Sequence, residues 1–365
     1  MALPLLNTFR SIVLENRPLI DVRAPIEFAK GAFPGSINLP LMSDEERHAV
    51  GITYKKEGNT AAVTQGHRLV NGELRSQRVR AWIDQISAQP ESCLYCSRGG
   101  QRSQIAQQWI AEAGIVIPRL EGGYKAFRNY LLETLEHITL PKQLYILGGH
   151  TGSGKTILLN RLEESIDLEG LANHRGSSFG RYATPQPTQI DFENSLAYAL
   201  IRYFAQGYQR LILEDESHNI GRCYIPAALF AQMKEAPVIL LERSIEERIE
   251  ITYAEYILAS QADYARVHTE GGIAHSWIET MRHNFQRIRK RLGDQGYREL
   301  LRMLDQAWDR QQRTGDPSEH KLWIEVLLRR YYDPMYAYQI EQKGERVVFR
   351  GNESEIEGYF GMARK

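Results

Sequence analysis

The segment that most restricts the fold is residues 149–156, which read GHTGSGKT and fit the pattern G-x-x-x-x-G-K-[S/T] in full. An apolar run at residues 144–147 precedes it, and the apolar residues after it recur at helical spacing. A strand, a glycine-rich turn and a helix in this order allow backbone N–H groups to surround a phosphate at the start of the helix. The sequence therefore predicts an α/β domain that binds a di- or triphosphate.

Several residues of this segment, which we call the phosphate loop, are predicted to contact the diphosphate or nucleotide. They are Gly149, Gly152, Ser153, Gly154, Lys155 and Thr156. The glycines let the backbone approach the phosphates, Lys155 supplies a positive charge, and Thr156 can reach a Mg²⁺ ion. The motif indicates phosphate binding and leaves open whether ATP is bound or hydrolysed.

Two further segments are candidates for the same site. An apolar strand at residues 210–213 leads into a run of acids, of which Asp215 is the first choice for a second Mg²⁺ contact, with a solvated strand end as the alternative. Residues 174–180 read HRGSSFG, and Arg175 and Ser177 in such a run favour an anion site, although a flexible loop has a similar composition. We therefore expect Asp215, Arg175 and Ser177 to contact the metal or the anion.

A second strand–loop–helix segment surrounds Cys96, and we call residues 96–102 the cysteine loop. An apolar strand at residues 92–95 leads into this loop, and a helical pattern begins near Arg102. Inward-pointing N–H groups, the start of a helix and the charges of Arg98 and Arg102 favour a thiolate, which is a nucleophile. We therefore predict that Cys96, Arg98 and Arg102 are catalytic, with a buried structural thiol as the alternative.

Cysteine usage and the absence of long apolar runs predict the compartment. The chain has three cysteines, too few for a disulfide framework, which favours a reducing cytoplasm. Cys93 would point to the opposite face of its strand from Cys96 and is expected in the core, and Cys223 has no matching partner. The first residues lack a signal-peptide pattern, and no stretch approaches roughly 18 consecutive apolar residues. We expect a cytoplasmic protein with no membrane contact and no structural metal.

The charge balance limits how a nucleic acid could bind. The formal net charge is +0, so a polyanionic partner would need a local basic patch. The candidates are Arg282, Arg287, Arg289, Lys290 and Arg291 on one predicted helix, together with Arg75, Arg78 and Arg80. A solvated helix face is the alternative for each cluster.

The length of 365 residues predicts two or three domains. Residues 1–138 alternate short strands with helical patterns, which predicts a parallel-sheet domain. A polar stretch at about 41–90 is an insertion that either contacts substrate or decorates the surface. Residues 139–243 are predicted to be a P-loop NTPase-like α/β domain, and residues 244–365 a mainly helical extension packed on it, with a closing strand at residues 346–350.

Three segments of the first domain resemble signatures of the rhodanese family. They are residues 19–28 (LIDVRAPIEF), 31–40 (GAFPGSINLP) and 121–128 (EGGYKAFR). The resemblance covers most of residues 5–135 and implies a rhodanese-like domain. It also implies that Cys96 carries a persulfide-like chalcogen, whereas Asp21 and Arg23 belong to the scaffold.

The cysteine loop departs from the common rhodanese pattern in one respect. Five residues separate Cys96 from Arg102. Common sulfur-transferring rhodaneses have shorter loops, whereas cysteine phosphatases share this spacing, which fits a tetrahedral phosphate. The departure favours a phosphate-bearing donor in place of thiosulfate, and it keeps a phosphatase as an alternative.

The two loops, together with three other runs, resemble the family of bacterial tRNA 2-selenouridine synthases from end to end. These runs are residues 174–180 (HRGSSFG), 214–217 (EDES) with Ile220 and Gly221 close behind, and 331–336 (YYDPMY). The resemblance implies a cytoplasmic transferase that acts on tRNA bearing wobble 2-thiouridine. The sulfur is first alkylated by geranyl diphosphate, and selenium from selenophosphate then replaces the geranylated sulfur. The enzyme that supplies selenophosphate is a candidate partner.

The resemblance assigns one stage to each loop. The phosphate loop, with Lys155 and Mg²⁺, would stabilise the leaving diphosphate. The cysteine loop would hold selenophosphate, with Cys96 either passing selenium as a perselenide or assisting its attack. We expect the geranyl pocket among tyrosines and leucines of the helical extension. Two other functions stay open: an ATP-dependent rhodanese-type sulfurtransferase acting on tRNA, and a binding or regulatory protein with a phosphatase-like loop. The sequence does not indicate the oligomeric state or the set of tRNAs.

Overall fold

The structure is a computed structural model that describes residues 3–141, 143–177, 179–267 and 273–361. The chain forms two compact units. Met1–Ile138 with Thr188–Gly207 is the N-terminal unit, and Thr139–Pro187 with Tyr208–Lys365 is the C-terminal unit.

Strands of the described residues are numbered in chain order. They are β1 (Leu5–Leu6), β2 (Leu19–Asp21), β3 (Ile37–Asn38), β4 (Cys93–Tyr95), β5 (Arg119–Leu120), β6 (Gln143–Gly149), β7 (Ser165–Ile166), β8 (Arg210–Glu214), β9 (Asn219–Ile220), β10 (Cys223–Tyr224), β11 (Val238–Leu241) and β12 (Val347–Gly351).

Helices are numbered in the same way. They are α1 (Phe9–Leu14), α2 (Pro25–Phe28), α3 (Asp44–Glu57), α4 (Asn59–Leu69), α5 (Gly72–Ala88), α6 (Gln101–Glu112), α7 (Gly123–Glu136), α8 (Lys155–Leu159), α9 (Leu168–Leu171), α10 (Gln189–Ala205), α11 (Ala227–Glu235), α12 (Ile245–Tyr253), α13 (Ser260–Val267), α14 (Ile273–Thr314), α15 (His320–Leu327), α16 (Asp333–Lys343) and α17 (Glu353–Tyr359). Short π-helical segments lie at Ala254–Ala259 and Leu328–Tyr332, and a 3₁₀ turn lies at Gly344–Arg346. Gly293, at φ +73°, breaks α14 into two helical parts.

The N-terminal unit contains a parallel sheet with the strand order β1-β5-β4-β2-β3. Strands β2 and β4 are buried along their whole length, as expected where helices cover both faces of a parallel sheet. The register pairs Asp21 with Tyr95. Because parallel strands end at the same edge, the loops after β2 and β4 leave the sheet side by side.

The insertion at residues 41–90 is built from α3, α4 and α5. A capping box begins α3: Ser43 Oγ accepts the Glu46 N–H at 3.2 Å, and the Glu46 carboxylate accepts the Ser43 N–H at 2.7 Å. Trp82 in α5 is fully buried, and its indole N–H donates to the Leu39 carbonyl at 2.8 Å. The insertion is therefore tied to the segment that follows β3.

Helix α10 groups with the N-terminal unit, although the sequence analysis assigned residues 139–243 to the phosphate-loop domain. Its Asp191 carboxylate accepts the Ala32 N–H at 2.7 Å, and its Asn194 amide donates to the Ala32 carbonyl at 2.7 Å. The Arg128 guanidinium of α7 donates to Asn194 Oδ1 at 2.8 Å. These bonds join segments distant in sequence, which explains why the linear boundary missed them.

The C-terminal unit has its own parallel sheet, in the order β12-β11-β6-β8-β7. Strand β12 pairs with β11 and confirms the predicted closing strand. Helices α14 and α15 contribute to an apolar cluster that includes Trp277, Phe285 and Trp323. The predicted fold class, two parallel-sheet α/β domains with a helical C-terminal extension, is confirmed.

Asp21, the last residue of β2, forms a buried ion pair with Arg23. Their side-chain atoms Oδ2 and Nη2 lie 2.6 Å apart, and the two residues are 0% and 4% exposed. Arg23 also donates to the Gly31 carbonyl at 2.8 Å, and its guanidinium lies 3.9 Å from the ring centre of Tyr124. The pair connects three segments of the N-terminal unit, which supports its interpretation as scaffold.

We expect the Asp21→Ala substitution to lower the free energy of unfolding by about 3–5 kcal/mol, because Arg23 would remain buried without its counter-ion. Urea denaturation followed by tryptophan fluorescence measures the change. The double variant Asp21→Leu/Arg23→Met removes both charges and should lose much less stability. A single variant as stable as the wild type would contradict the buried-pair interpretation.

Candidate active site

The shape of the cysteine loop is fixed by the start of α7. The Tyr124 N–H donates to the Cys96 carbonyl at 2.8 Å, and the Lys125 N–H donates to the Ser97 carbonyl at 2.9 Å. A Cβ on Gly123 would lie 2.2 Å from the Gly99 nitrogen and 2.3 Å from the Cys96 carbonyl oxygen, so no other residue fits there. This contact gives a physical reason for the EGGYKAFR run at the start of α7.

The cysteine loop presents backbone donors that the protein itself leaves unused. Within the described ranges, none of the N–H groups of residues 97–102 donates a hydrogen bond to a protein acceptor. Helix α6 begins at Gln101, and no side chain caps its start. Unsatisfied N–H groups at the start of a helix attract anions. The loop can therefore bind a phosphate-like group.

The Cys96 thiol lies in the wall of a cavity of about 740 Å³. The residue is only 3% exposed, and its Sγ lies 3.2 Å from Ser103 Oγ, which in turn donates to the Gly100 carbonyl at 3.1 Å. The sulfur is therefore shielded from bulk water and reached through the cavity. Cys93 lies in the core, as predicted, and burial raises the pKa of its thiol to about 12. Nucleophilic chemistry at Cys96 remains a prediction.

Arg102 is held by a carboxylate that sequence reasoning did not select, Glu27 of α2. The guanidinium donates to both Glu27 carboxylate oxygens, at 2.5 and 3.1 Å, and to Ser97 Oγ at 2.7 Å. Burial would raise the pKa of Glu27, but the hydrogen bonds and charge of Arg102 outweigh it and lower the pKa to about 2. Arg98 is exposed and lines the same cavity. Glu27 lies inside the rhodanese-like signature at residues 19–28, and this position was the sequence feature that could have identified it.

The phosphate loop faces a cavity of about 300 Å³ in the C-terminal unit. Of the residues predicted for this site, the cavity is lined by Gly152, Gly154, Lys155, Thr156, Arg175 and Ser177. Lys155 Nζ donates to the Gly149 carbonyl at 3.2 Å. Ser153 lines a different cavity, and Ser178 of the HRGSSFG run lies outside the described residues. The structure thus brings the predicted anion run to the phosphate loop.

Helix α12 and the start of α16 support the phosphate loop from behind. Arg248 Nε donates to the Thr151 carbonyl at 2.9 Å, and the Arg248 guanidinium binds the Asp333 carboxylate at 2.5 and 3.2 Å. A Cβ on Gly152 would lie 2.4 Å from Thr252 Oγ1. Asp333 belongs to the YYDPMY run, so this contact gives that run a role in positioning the loop.

Thr156 donates a hydrogen bond to Glu169 of α9, and not to Asp215. Thr156 Oγ1 and Glu169 Oε2 are 3.5 Å apart, whereas the Asp215 carboxylate is bonded to Lys343. The ion pair between Asp215 and Lys343 joins residues that are distant in sequence, so the sequence did not predict it. No sequence pattern marks Glu169. Asp215 does not line the cavity, and its role as a metal contact stays a prediction.

Three carboxyl groups interact at this cavity: Glu169 lines it, and Glu214 and Glu216 contact Glu169. Burial raises the pKa of Glu169, and burial together with the charge of Glu169 raises the pKa of Glu214 and of Glu216 well above the ordinary range. Burial lowers the pKa of Lys155, but the charges of Tyr336, Glu169, Glu216 and Asp215 outweigh it and raise that pKa. The cavity therefore combines two cations, Lys155 and Arg175, with several carboxyl groups.

The donor set fits a magnesium ion that arrives with a diphosphate. Among the described residues, no group of three or more histidine, cysteine or acidic side chains is placed to hold a metal ion. Mg²⁺ is commonly held by one or two carboxylates, with waters and substrate phosphates completing its coordination. The Thr156 hydroxyl and the Glu169 carboxylate are suitable oxygen ligands of this kind.

Comparison with known proteins identifies both halves of the chain. The family described as tRNA 2-selenouridine synthase AAA domain matches residues 142–365, and the rhodanese-like domain family matches residues 8–130. The chain belongs to the tRNA 2-selenouridine synthase family. The Sulfurovum sp. (strain NBC37-1) tRNA 2-selenouridine synthase is 54% identical over 98% of each chain. The Hydrogenovibrio crunogenus synthase is 50% identical over 98% of this chain and 99% of the relative. The Pseudomonas fluorescens synthase is 48% identical over 96% of each chain.

Several of the basic residues predicted to contact tRNA form ion pairs with acidic residues of this chain. Arg282 binds Glu279 at 2.6 Å and Asp305 at 2.9 Å, and Arg289 binds Asp294 at 2.7 Å. All of the candidates of the first cluster lie on α14: Arg282, Arg287, Arg289, Lys290 and Arg291. In the second cluster, Arg75, Arg78 and Arg80 are paired with Glu112, Glu46 and Glu73. Contact with tRNA remains a prediction for both clusters.

Within the described ranges, no helix combines the length and apolar character needed to cross a membrane.

We expect Glu27→Gln to lower the free energy of unfolding at neutral pH by on the order of 3 kcal/mol, from the size of its pKa shift. The folded-state pKa of about 2 is below the ordinary value of 4.5, so this stabilisation is present above pH 4.5 and lost as the pH falls toward 2. Denaturation at several pH values tests the expectation. An equal difference between wild type and variant at all pH values would contradict it.

Proposed function

We propose that this protein replaces the sulfur of wobble 2-thiouridine in tRNA with selenium. It first uses geranyl diphosphate to alkylate the sulfur and then uses selenophosphate to displace the geranylated sulfur. The observation that carries the proposal is the Cys96 thiol beside unused N–H groups and Arg102, in a chain that also holds a complete phosphate loop. The relatives named tRNA 2-selenouridine synthase support the formation of selenouridine in tRNA.

In the first stage, the thiocarbonyl sulfur attacks the allylic carbon of geranyl diphosphate. A sulfur–carbon bond forms, the carbon–oxygen bond breaks, and the diphosphate leaves with the electron pair, while the base loses its N3 proton. Lys155 and the N–H groups at the start of α8 bind the diphosphate and stabilise its charge. Thr156 and Glu169 would hold Mg²⁺, which neutralises further charge on the leaving group.

In the second stage, the cysteine loop binds the phosphate end of selenophosphate. The Cys96 thiolate attacks phosphorus, a sulfur–phosphorus bond forms, and selenide leaves with the electron pair. Selenide then attacks C2 of the alkylated base, and geranylthiolate leaves and takes up a proton. Water hydrolyses the phosphocysteine and restores the thiol. We favour this assisting role over a perselenide, because an S–Se bond made from selenophosphate would require an oxidant.

Arg102 and Ser103 fit these steps. The Glu27 carboxylate orients the Arg102 guanidinium beside the loop, where its positive charge can stabilise the transferring phosphoryl group. The Ser103 hydroxyl, 3.2 Å from Cys96 Sγ, can donate to the thiolate during attack and hydrolysis. The same two groups would serve a simple phosphatase, and the nucleoside products distinguish the two functions.

We expect Cys96→Ala to accumulate S-geranyl-2-thiouridine and form no selenouridine, because only the second stage uses the thiol. The assay supplies 2-thiouridine tRNA, geranyl diphosphate and selenophosphate, and mass spectrometry identifies the nucleosides. Cys93→Ala, which changes a core thiol, is the matched control and should form selenouridine. Formation of selenouridine by Cys96→Ala would remove the proposed role. Transfer of sulfur coupled to ATP hydrolysis would favour the sulfurtransferase alternative.

We expect Lys155→Ala to reduce geranylation by roughly a hundredfold or more, since the diphosphate loses its main cation. Initial rates of S-geranyl nucleoside formation give the change. Lys125→Ala, which removes a lysine of the N-terminal unit, provides a control for altered net charge. Unchanged geranylation in Lys155→Ala would show that the diphosphate binds elsewhere.

A further inference from the structure

The cavity beside the cysteine loop is mostly apolar, although the loop itself is an anion site. Its apolar lining comes from the insertion and from α6, and includes Met42, Val50, Ala62, Val63, Ile105 and Trp109. A volume of about 740 Å³ is in the range of small-molecule binding sites. We call this space the insertion cavity.

Helices α3 and α4 bury few apolar side chains. Within the described residues, α3 buries no side chain fully, and Ala62 is the buried residue of α4. Helices of globular proteins normally bury an apolar stripe against neighbouring elements. Here Val50 and Val63 line the cavity instead, and the nearby Ile52 and Tyr54 are 42% and 59% exposed. An apolar occupant would complete this packing.

Charged groups also line this cavity. Arg47, Lys55 and Arg98 all contribute to its wall, next to the unused N–H groups of the cysteine loop. An apolar space that adjoins a cationic, N–H-rich loop suits a ligand that joins an apolar chain to an anionic group. Cys96 belongs to the cysteine loop, lines the same cavity and is part of the apolar cluster that contains Trp109.

We propose that the insertion cavity binds the prenyl chain of the S-geranyl nucleoside while selenium replaces the sulfur. This inference rests on the proposed function. Because the bond between C2 and sulfur breaks where selenide is released at the cysteine loop, the chain attached to that sulfur extends from the same point. Burial of the chain removes apolar surface from water and holds C2 of the base against the loop. The cavity then receives the prenyl group of the leaving thiol.

The cavity at the phosphate loop has a different character. It holds about 300 Å³, and several acids line it, among them Glu169, Glu255 and Asp263. Tyr256 and Tyr336 also line it, so the earlier expectation of a geranyl pocket in the helical extension stays a prediction for the first stage. The insertion cavity is a second prenyl site, used in the second stage, and it gives the insertion a role in substrate selection.

The test compares selenation of two purified tRNA substrates, one carrying S-geranyl-2-thiouridine and one carrying S-methyl-2-thiouridine. Selenophosphate is supplied in excess, and selenouridine is quantified by mass spectrometry. We expect the wild type to prefer the geranyl substrate in kcat/KM by roughly tenfold or more, the gain expected when an apolar group fills a matching pocket.

Val63→Trp fills the cavity and should lower kcat/KM for the geranyl substrate to that for the methyl substrate. Thr64→Trp places the same side chain at an exposed position of α4 outside the cavity and should keep the preference. Val63→Thr, which keeps the shape and adds a hydroxyl, should weaken the preference without a change in volume, so the test does not depend on one variant folding.

The outcomes separate this inference from the proposed function. A wild-type protein that makes no selenouridine from either substrate would overturn both. A wild type that uses both substrates equally, or a Val63→Trp variant that folds and keeps the geranyl preference, would overturn the cavity assignment alone. Loss of the preference in Val63→Trp and Val63→Thr, with Thr64→Trp unchanged, is the result that supports it.

Discussion

The close approach of Gly99 to Gly123 is the contact on which the reactive loop depends. No side chain can enter the space between them, and the start of α7 supplies N–H donors to the Cys96 and Ser97 carbonyls. The carbonyls of the loop therefore accept hydrogen bonds from α7, whereas the N–H groups of residues 97–102 have no protein acceptor among the described residues. Because several N–H groups point to the same place and have no such acceptor, an anion that binds there can accept more than one hydrogen bond.

Both loops are positioned by charged pairs that reach them from other parts of the chain. Glu27 holds Arg102 at the cysteine loop, and Asp333 holds Arg248 behind the phosphate loop. Each arginine is locked in place by a bidentate carboxylate, which reduces the ordering needed when an anion binds. The two sites differ in what surrounds the anion, because an apolar cavity adjoins Cys96 whereas carboxyl groups and tyrosines adjoin Lys155.

The sequence was sufficient for features that depend on local patterns. The phosphate loop, the strand–loop–helix around Cys96, the parallel sheets and the closing strand β12 all follow from motif spacing and short apolar runs. Features that depend on distant contacts could not be read in this way. The placement of α10, the pairing of Asp215 with Lys343, and the position of Glu169 beside Thr156 arise only when the chain is folded. The insertion cavity is the same kind of feature, since two polar helices gave no sign that their few apolar residues surround a space.

The central claim is that the two loops act in sequence on one nucleobase, and an ordered transfer between two variants tests it most directly. 2-Thiouridine tRNA is treated with Cys96→Ala and geranyl diphosphate, purified, and then given to Lys155→Ala with selenophosphate. The account predicts selenouridine in this order and none when the order of the variants is reversed. Selenouridine in the reversed order would contradict the account. So would the absence of selenouridine in the first order, provided that the product of Cys96→Ala is confirmed as S-geranylated and that Lys155→Ala is folded.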